Sequence, residues 1–371
     1  MKMLSTDNTT DKRIMRFILV AALMLGMVIS ANASQILDPT DIGVGARPLG
    51  LGKAFTAIAN DGSAIFTNPA GLAQSKTLNV VSMAGNLMSE VPYTVAGGSY
   101  PLFGGTIGIG YAGLGVSGIN ETTIVNGTPE ITGNQGNYAN SAINVSYAQS
   151  IGDLSIFKEP KLGATFKIIS QGFSGTSSFE AGKGTGFDID LGALASINED
   201  TNVGITLKNI IPGNNFQSDE IPMVIQGGIA KAFAQYNLLT SLDLEYNRTI
   251  LLHAGAEWSP LALIKLRAGV DQKPSAGSSI TNLAAGLGVN FRGFTFDYAY
   301  HTYAELSEFA THYFSIGYSL EKPKAAVATA APAAPAVNPA PVPVKVVQPA
   351  APVVKTKVVT RTVTKMVPKK K

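Results

Sequence analysis

The side chains that most often carry chemistry are sparse in this 371-residue chain and are not spaced for it. Cysteine is absent, which removes thiol nucleophiles and disulfides. The three histidines, His253, His301 and His312, show no metal-ligand spacing, and no H-E-x-x-H accompanies them. No G-x-S-x-G elbow occurs, and no Ser-His-Asp set stands out by spacing. Gly108-Ile109-Gly110-Tyr111-Ala112-Gly113 matches G-x-G-x-x-G, but that pattern cradles a phosphate only between a strand and a helix. Here it lies inside one alternating segment with no helix behind it, so it reads as part of a strand. The expectation is a protein that is not an enzyme, with no catalytic residue, no metal, no cofactor and no nucleic-acid partner.

What remains is charge at alternate positions. Asp188, Asp190, Lys208, Asp243, Glu245, Glu257, Lys265, Arg267, Asp271 and Asp297 fall on one face of period-2 segments. In 186–198, Phe187, Ile189, Leu191, Ala193 and Ile197 oppose Asp188, Asp190, Gly192 and Ser196. In 237–246, Leu238, Leu242, Leu244 and Tyr246 oppose Ser241, Asp243 and Glu245, and in 264–271 Leu266, Ala268 and Val270 oppose Lys265, Arg267 and Asp271. Charges confined to one face need partners or water, because an isolated charge in a closed space is costly.

The elements that hold these faces are strands. From residue 77 onward the chain divides into fourteen segments of roughly 8 to 12 residues, the length a tilted strand needs to cross an outer membrane. They are 78–87, 93–100, 105–114, 138–149, 161–171, 186–198, 202–210, 223–233, 237–246, 250–258, 264–271, 281–291, 294–300 and 312–320. The connections 101–104, 150–160, 199–201, 234–236, 259–263 and 292–293 alternate with 88–92, 115–137, 172–185, 211–222, 247–249, 272–280 and 301–311. Most of the first set are tight, and several of the second are long and rich in Gly, Ser and Asn. That asymmetry belongs to an outer-membrane barrel with short periplasmic turns, not to a soluble sandwich.

Composition agrees. Charged residues make up 14% of the chain, against roughly 25% in soluble domains. Glycine is frequent, and no run of about 18 apolar residues lies beyond the N-terminal region, so strands must do the crossing. The expected fold class is all-β: a transmembrane antiparallel β-barrel of about 14 strands, with a plug in its lumen and a disordered C-terminal tail. Tyr93, Tyr100, Tyr111, Tyr138, Trp258, Phe291, Tyr313 and Tyr318 stand near strand ends, as interfacial girdle residues or as ordinary strand aromatics.

Residues 34–76 do not alternate. Their core, 43–72, is glycine-rich at the front, has a short helix expected over 53–59, and ends in the turn-forming run Asn68-Pro69-Ala70-Gly71-Leu72. Small residues (Gly50, Gly52, Ala54, Ala57) suit close packing against a barrel wall. Asn68 precedes a proline, is held extended, and can cap backbone groups; Asn-Pro-Ala is equally a plain turn feeding the first strand. Arg47 and Lys53 are the cations available to the acidic lumen face.

The run Gly45-Ala46-Arg47-Pro48-Leu49-Gly50-Leu51-Gly52-Lys53-Ala54-Phe55, followed by Ala64-Ile65-Phe66-Thr67-Asn68-Pro69-Ala70-Gly71-Leu72, resembles the start of PorV/PorQ-family proteins, which are FadL-like outer-membrane barrels. The resemblance implies a lumen blocked by this segment, with Arg47, Gly50, Gly52, Phe55, Asn68, Pro69, Ala70 and Gly71 as its motif. It also implies a non-catalytic accessory role in type IX-like protein secretion, with secretion-system components as partners. The wider FadL group implies the alternative, passive passage of hydrophobic molecules such as fatty acids. In either case outer-membrane lipid is a partner.

The two ends differ from the body. Lys12, Arg13 and Arg16 precede the apolar run 17–29 and an Ala31-Asn32-Ala33 cleavage pattern, so 1–33 reads as a signal peptide, with Met15 an alternative start. Residues 321–371 are Pro/Ala-rich and hold ten Lys/Arg against Glu321, which leaves 34–320 with a net charge of −8. This basic tail is expected in the periplasm, either without function or as a tether to the cell wall or to an acidic partner. The expected organisation is signal peptide 1–33, plug 34–76, barrel 77–320 and tail 321–371.

Overall fold

A computed structural model of the chain describes residues 38–154, 157–176, 183–211, 215–216, 219–275, 278–304 and 310–320. The expected signal peptide and the tail lie outside the described residues.

Alternation produces fourteen long antiparallel strands: β1 (Asn79–Leu87), β2 (Val91–Leu102), β3 (Gly105–Val125), β4 (Thr128–Ser150), β5 (Lys158–Ser174), β6 (Gly184–Ser196), β7 (Thr201–Lys208), β8 (Val224–Phe233), β9 (Leu238–Asn247), β10 (Thr249–Leu261), β11 (Ile264–Ser275), β12 (Ser278–Phe291), β13 (Phe294–Thr302) and β14 (Ala310–Ser319). Each pairs with its sequence neighbours, and β1 pairs with β14 from Asn79↔Ser319 to Gly85↔Tyr313. The sheet therefore closes into a barrel with no free edge along its wall. Among the described residues no helix is long and apolar enough to cross a membrane. A separate two-stranded ladder, Asn215–Phe216 with Asp219–Glu220, sits in the β7–β8 connection.

Burial follows the period. In β1 the pattern alternates buried and exposed from Asn79 to Ala84, and in β14 from Thr311 to Gly317. The outward face carries Ile109, Val145, Phe166, Leu244, Phe296 and Phe314, all exposed. A continuous apolar exterior of this kind is a lipid-facing surface. The inward face is polar, and the apolar core of the molecule is the plug: Leu49, Leu51, Phe55, Ile58, Ile65, Phe66 and Leu72 are all buried.

Four sequence-based expectations change. Residues 115–137 are not a loop. β3 and β4 continue as a two-stranded ribbon to a turn at Asn126-Gly127, both with positive φ (52° and 81°), the geometry an Asn-Gly hairpin favours. β2 pairs with β3 only to Leu114, and β5 pairs with β4 only from Asn137, so the ribbon extends beyond its neighbours with both faces wet. The 272–280 connection is likewise mostly strand, since β11 runs to Ser275 and β12 begins at Ser278. The short helix expected over 53–59 is absent, because Lys53 and Ala59 take positive φ and the segment turns. The plug's helices are α1 (Ala46–Gly50) and α2 (Ala64–Thr67), with 3-10 turns at Pro39–Ile42 and Pro69–Gln74. Finally, Tyr93 and Tyr313 are not girdle residues: both face the lumen and are fully buried.

Candidate functional site

The site is the contact between the plug and the barrel wall, together with the cavities on either side of it. Close approach is set by inward-facing wall glycines. Gly163 of β5, Gly192 of β6, Gly204 of β7, Gly255 of β10 and Gly269 of β11 lie so near that a Cβ on any of them would overlap the plug. The overlaps fall on Ala70, Asn68, Thr56, Leu51 and Gly52 respectively. The plug is thus pressed against the wall along β5, β6, β7, β10 and β11, backbone to backbone at all of these glycines except Gly192, which meets the Asn68 side chain. Gly52 (φ 58°) meets the backbone of Val270, and Gly71 meets the Ala59 carbonyl, so both motif glycines stand where a side chain has no room. Gly50 packs on Gly286 of β12.

Polar anchors fix the register. Asn68 is fully buried: its Oδ1 accepts from Ala70 N (3.1 Å), and its Nδ2 donates to the carbonyls of Thr56 (2.8 Å) and Ala193 (3.2 Å). It caps the turn begun by Pro69 and also ties plug to wall. Asp243 of β9 accepts from the amides of Phe55 (3.0 Å) and Thr56 (2.9 Å), with Gln226 on the same oxygen (3.1 Å). These amides have no helical partner because the segment turns, and the wall carboxylate supplies one. Ser315 accepts from Ala46 N at 2.7 Å, and Tyr93 donates to the Pro39 carbonyl at 2.8 Å.

Charge reinforces this at two places. Arg47 of α1 bonds Glu257 (2.8 Å) and Asp61 (3.0 Å). Glu257 also accepts from Arg267 (2.8 Å) and Lys265 (3.1 Å), and Arg267 continues to Asp297 (2.7 Å). Burial alone would lower the Arg47 pKa, but Glu257 and then Asp61 hold it above its ordinary value. On the other side, Lys167 of β5 is fully buried between Asp38 of the plug (2.7 Å) and Asp190 of β6 (2.9 Å), with Asn209 beside it. Burial works against the Asp38 carboxylate, but Lys167 holds it below the usual carboxylate range.

The structure brings Arg47, Gly50, Gly52, Phe55, Asn68, Pro69, Ala70 and Gly71 together in the plug, and every inward charge named above lies on the lumen side. Asp188 accepts from the amides of Ile189 and Ile211, and Glu245 stands 3.3 Å from His253. One pairing is corrected. Lys53 donates to the Asp41 carbonyl (2.9 Å), within the plug, and not to a wall acid. The strongest missed anchor is Lys167 with Asp38. Lys167 alternates with the outward residues Phe166 and Ile168, so its inward direction was available from the pattern. His301 (inward, 2.5 Å from Asp271) and His312 (outward, 2.7 Å from Tyr298) face opposite sides of the wall. Among the described residues, no three His, Asp or Glu side chains are grouped to hold a metal.

The plug divides the lumen. At the end bearing the β1–β2 and β9–β10 turns is an outer cavity of about 530 Å³, lined by plug residues including Asp41, Ile42, Val44 and Phe55 and wall residues including Lys208 and Leu251. At the opposite end, around the β12–β13 turn, is a second cavity of about 500 Å³ that contains the Arg47–Arg267–Asp297 network. Pro48 lines both, so α1 is the partition.

No protein-family model and no curated protein sequence matches the chain. Solved structures do resemble it. The toluene transporter TbuX of Ralstonia pickettii superposes with a TM-score of 0.52 at 11% identity, covering 75% of this chain and 99% of that one. The toluene transporter TodX of Pseudomonas putida gives 0.51 at 11% identity, covering 77% and 98%. At this identity the likeness concerns the fold: the chain is a closed, fourteen-stranded transmembrane barrel of the architecture these two transporters share.

Proposed function

We propose that this chain is a non-catalytic, passive channel of the outer membrane for small amphipathic organic molecules. The observation that carries the reading is the outer cavity, which is large enough for a small molecule, has apolar plug residues along one side, and stops at α1. A plug that closes a lumen to water and offers an apolar-lined cavity on one side suits capture of a molecule that partitions poorly into either phase alone. The fold shared with toluene transporters supports the same reading. The charged lining argues against toluene itself, because a neutral hydrocarbon leaves buried charges without water or partner.

The PorV/PorQ-like reading, a secretion accessory, is favoured by one feature: the β3–β4 ribbon stands clear of the wall and exposes Ile124, Val125 and Ile131 near its tip, a surface suited to a protein partner. One preparation separates the two. Full-length protein, affinity-purified from gently solubilised outer membranes, is analysed for bound small molecules by organic extraction and for co-purifying proteins. The channel reading expects a bound amphiphile that is lost when Val44→Trp fills the cavity. Stoichiometric secretion components without a bound small molecule contradict it.

A further inference from the structure

The outer cavity has an imbalance that narrows its ligand, an inference that rests on the channel reading above. Six of its lining residues carry carboxyl, amino or imidazole groups: Asp41, Lys53, Lys208, Glu245, His253 and Lys273. Four are already engaged. The Lys53 ammonium is on the Asp41 carbonyl, Lys273 lies 4.3 Å over the Tyr303 ring, and Glu245 and His253 face each other at 3.3 Å. Two remain: among the described residues, neither the Asp41 carboxylate nor the Lys208 ammonium makes a hydrogen bond or an ion pair within 4.0 Å, and the two opposite charges act on each other only from a distance. They come from different parts of the molecule, Asp41 from the 3-10 turn of the plug and Lys208 from the end of β7. A third polar group supports a ligand here. His253 is buried at 2% exposure and lines the same cavity, and while its Nε2 faces Glu245, its Nδ1 makes no hydrogen bond.

We infer that the outer cavity binds a zwitterion, a small molecule bearing an ammonium and a carboxylate beside an apolar body. The ligand ammonium meets Asp41, its carboxylate meets Lys208, and its apolar part lies among Ile42, Val44, Phe55 and Leu251. A carboxylate-only amphiphile satisfies Lys208 but turns its charge toward Asp41, an amine does the reverse, and a neutral molecule leaves both charges desolvated. Only a ligand with both signs compensates both groups, and in doing so it joins plug to wall.

The test uses the full chain in lipid nanodiscs at about pH 8.5, where the upward-shifted Asp41 carboxyl is ionised, and compares 2-aminooctanoate, octanoate and octylamine by isothermal titration calorimetry. The expected result is that 2-aminooctanoate binds at least about tenfold more tightly than either singly charged analogue, roughly the effect of one compensated charge. Asp41→Asn removes its advantage over octanoate, and Lys208→Met removes its advantage over octylamine, with the heat-modifiable gel shift of the folded barrel unchanged. Equal or tighter binding of octanoate or octylamine by the unaltered protein overturns the zwitterion while leaving an amphiphile channel standing. If none of the three binds and none crosses a reconstituted membrane, both the inference and the channel reading fail.

Discussion

At the scale of single residues, the plug is held by a few buried polar groups whose loss has distinct signatures. Lys167→Met leaves Asp38 and Asp190 facing each other without water or cation. Removing one partner of a buried ion pair costs about 3–5 kcal/mol, so the thermal midpoint of the detergent-solubilised barrel is expected to fall clearly. Arg47→Ala breaks the bridge between α1 and Glu257 at the partition itself; single-channel conductance in planar bilayers should rise, while Lys53→Ala, which loses only a bond inside the plug, should leave it unchanged. Asp41 gives a pH signature. Burial, and then the neighbouring Asp38, push its carboxyl up to about 7. Between the ordinary carboxylate range and about pH 7 the folded state keeps a proton that the unfolded chain has released, so this group's contribution to stability falls as pH rises through that window. Asp38 is shifted the other way, and its contribution is lost only in acid. The melting midpoint should therefore drop between about pH 5 and about pH 8, and drop less in Asp41→Asn.

At the scale of elements, the wall glycines carry the account. Gly204→Ala drives a methyl into the Thr56 carbonyl and Gly192→Ala drives one into Asn68, whereas Gly227→Ala meets nothing. The first two should admit protease to the plug or raise conductance, and the third should do neither. Replacing the ribbon beyond Gly115 and Gly136 by a short Asn-Gly turn should leave the barrel folded, read as an unchanged heat-modifiable gel shift, because the wall pairing of β3 and β4 ends there. These elements were unequally legible. The fourteen strands were readable because lipid on one side and a polar lumen on the other enforce a strict two-residue period. The ribbon was not, since water on both faces removes that period and leaves a Gly/Asn/Thr run like a loop. The plug helices were misplaced because Ala54 to Ala59 has helical propensity, but the chain must turn there for the Phe55 and Thr56 amides to reach Asp243. Lys167 was visible as an inward position, but its partner Asp38 lies far away in sequence, and no local pattern marks a pair 129 residues apart.

At the scale of the whole molecule, the proposed channel rests on a closed apolar-faced barrel, a glycine-seated plug and two cavities separated by α1; on that reading water-filled passage is excluded and an amphiphile enters at one end. Deleting 38–76 should turn a nearly silent bilayer into one with large steady conductance, since among the described residues no other segment fills the lumen. The most direct test is uptake by proteoliposomes containing the full-length protein, with radiolabelled 2-aminooctanoate and a sugar of similar mass measured side by side against empty vesicles. The account predicts saturable entry of the amphiphile, reduced by Val44→Trp, and no entry of the sugar. Entry of both at the same rate, or of neither above the empty vesicles, would contradict it.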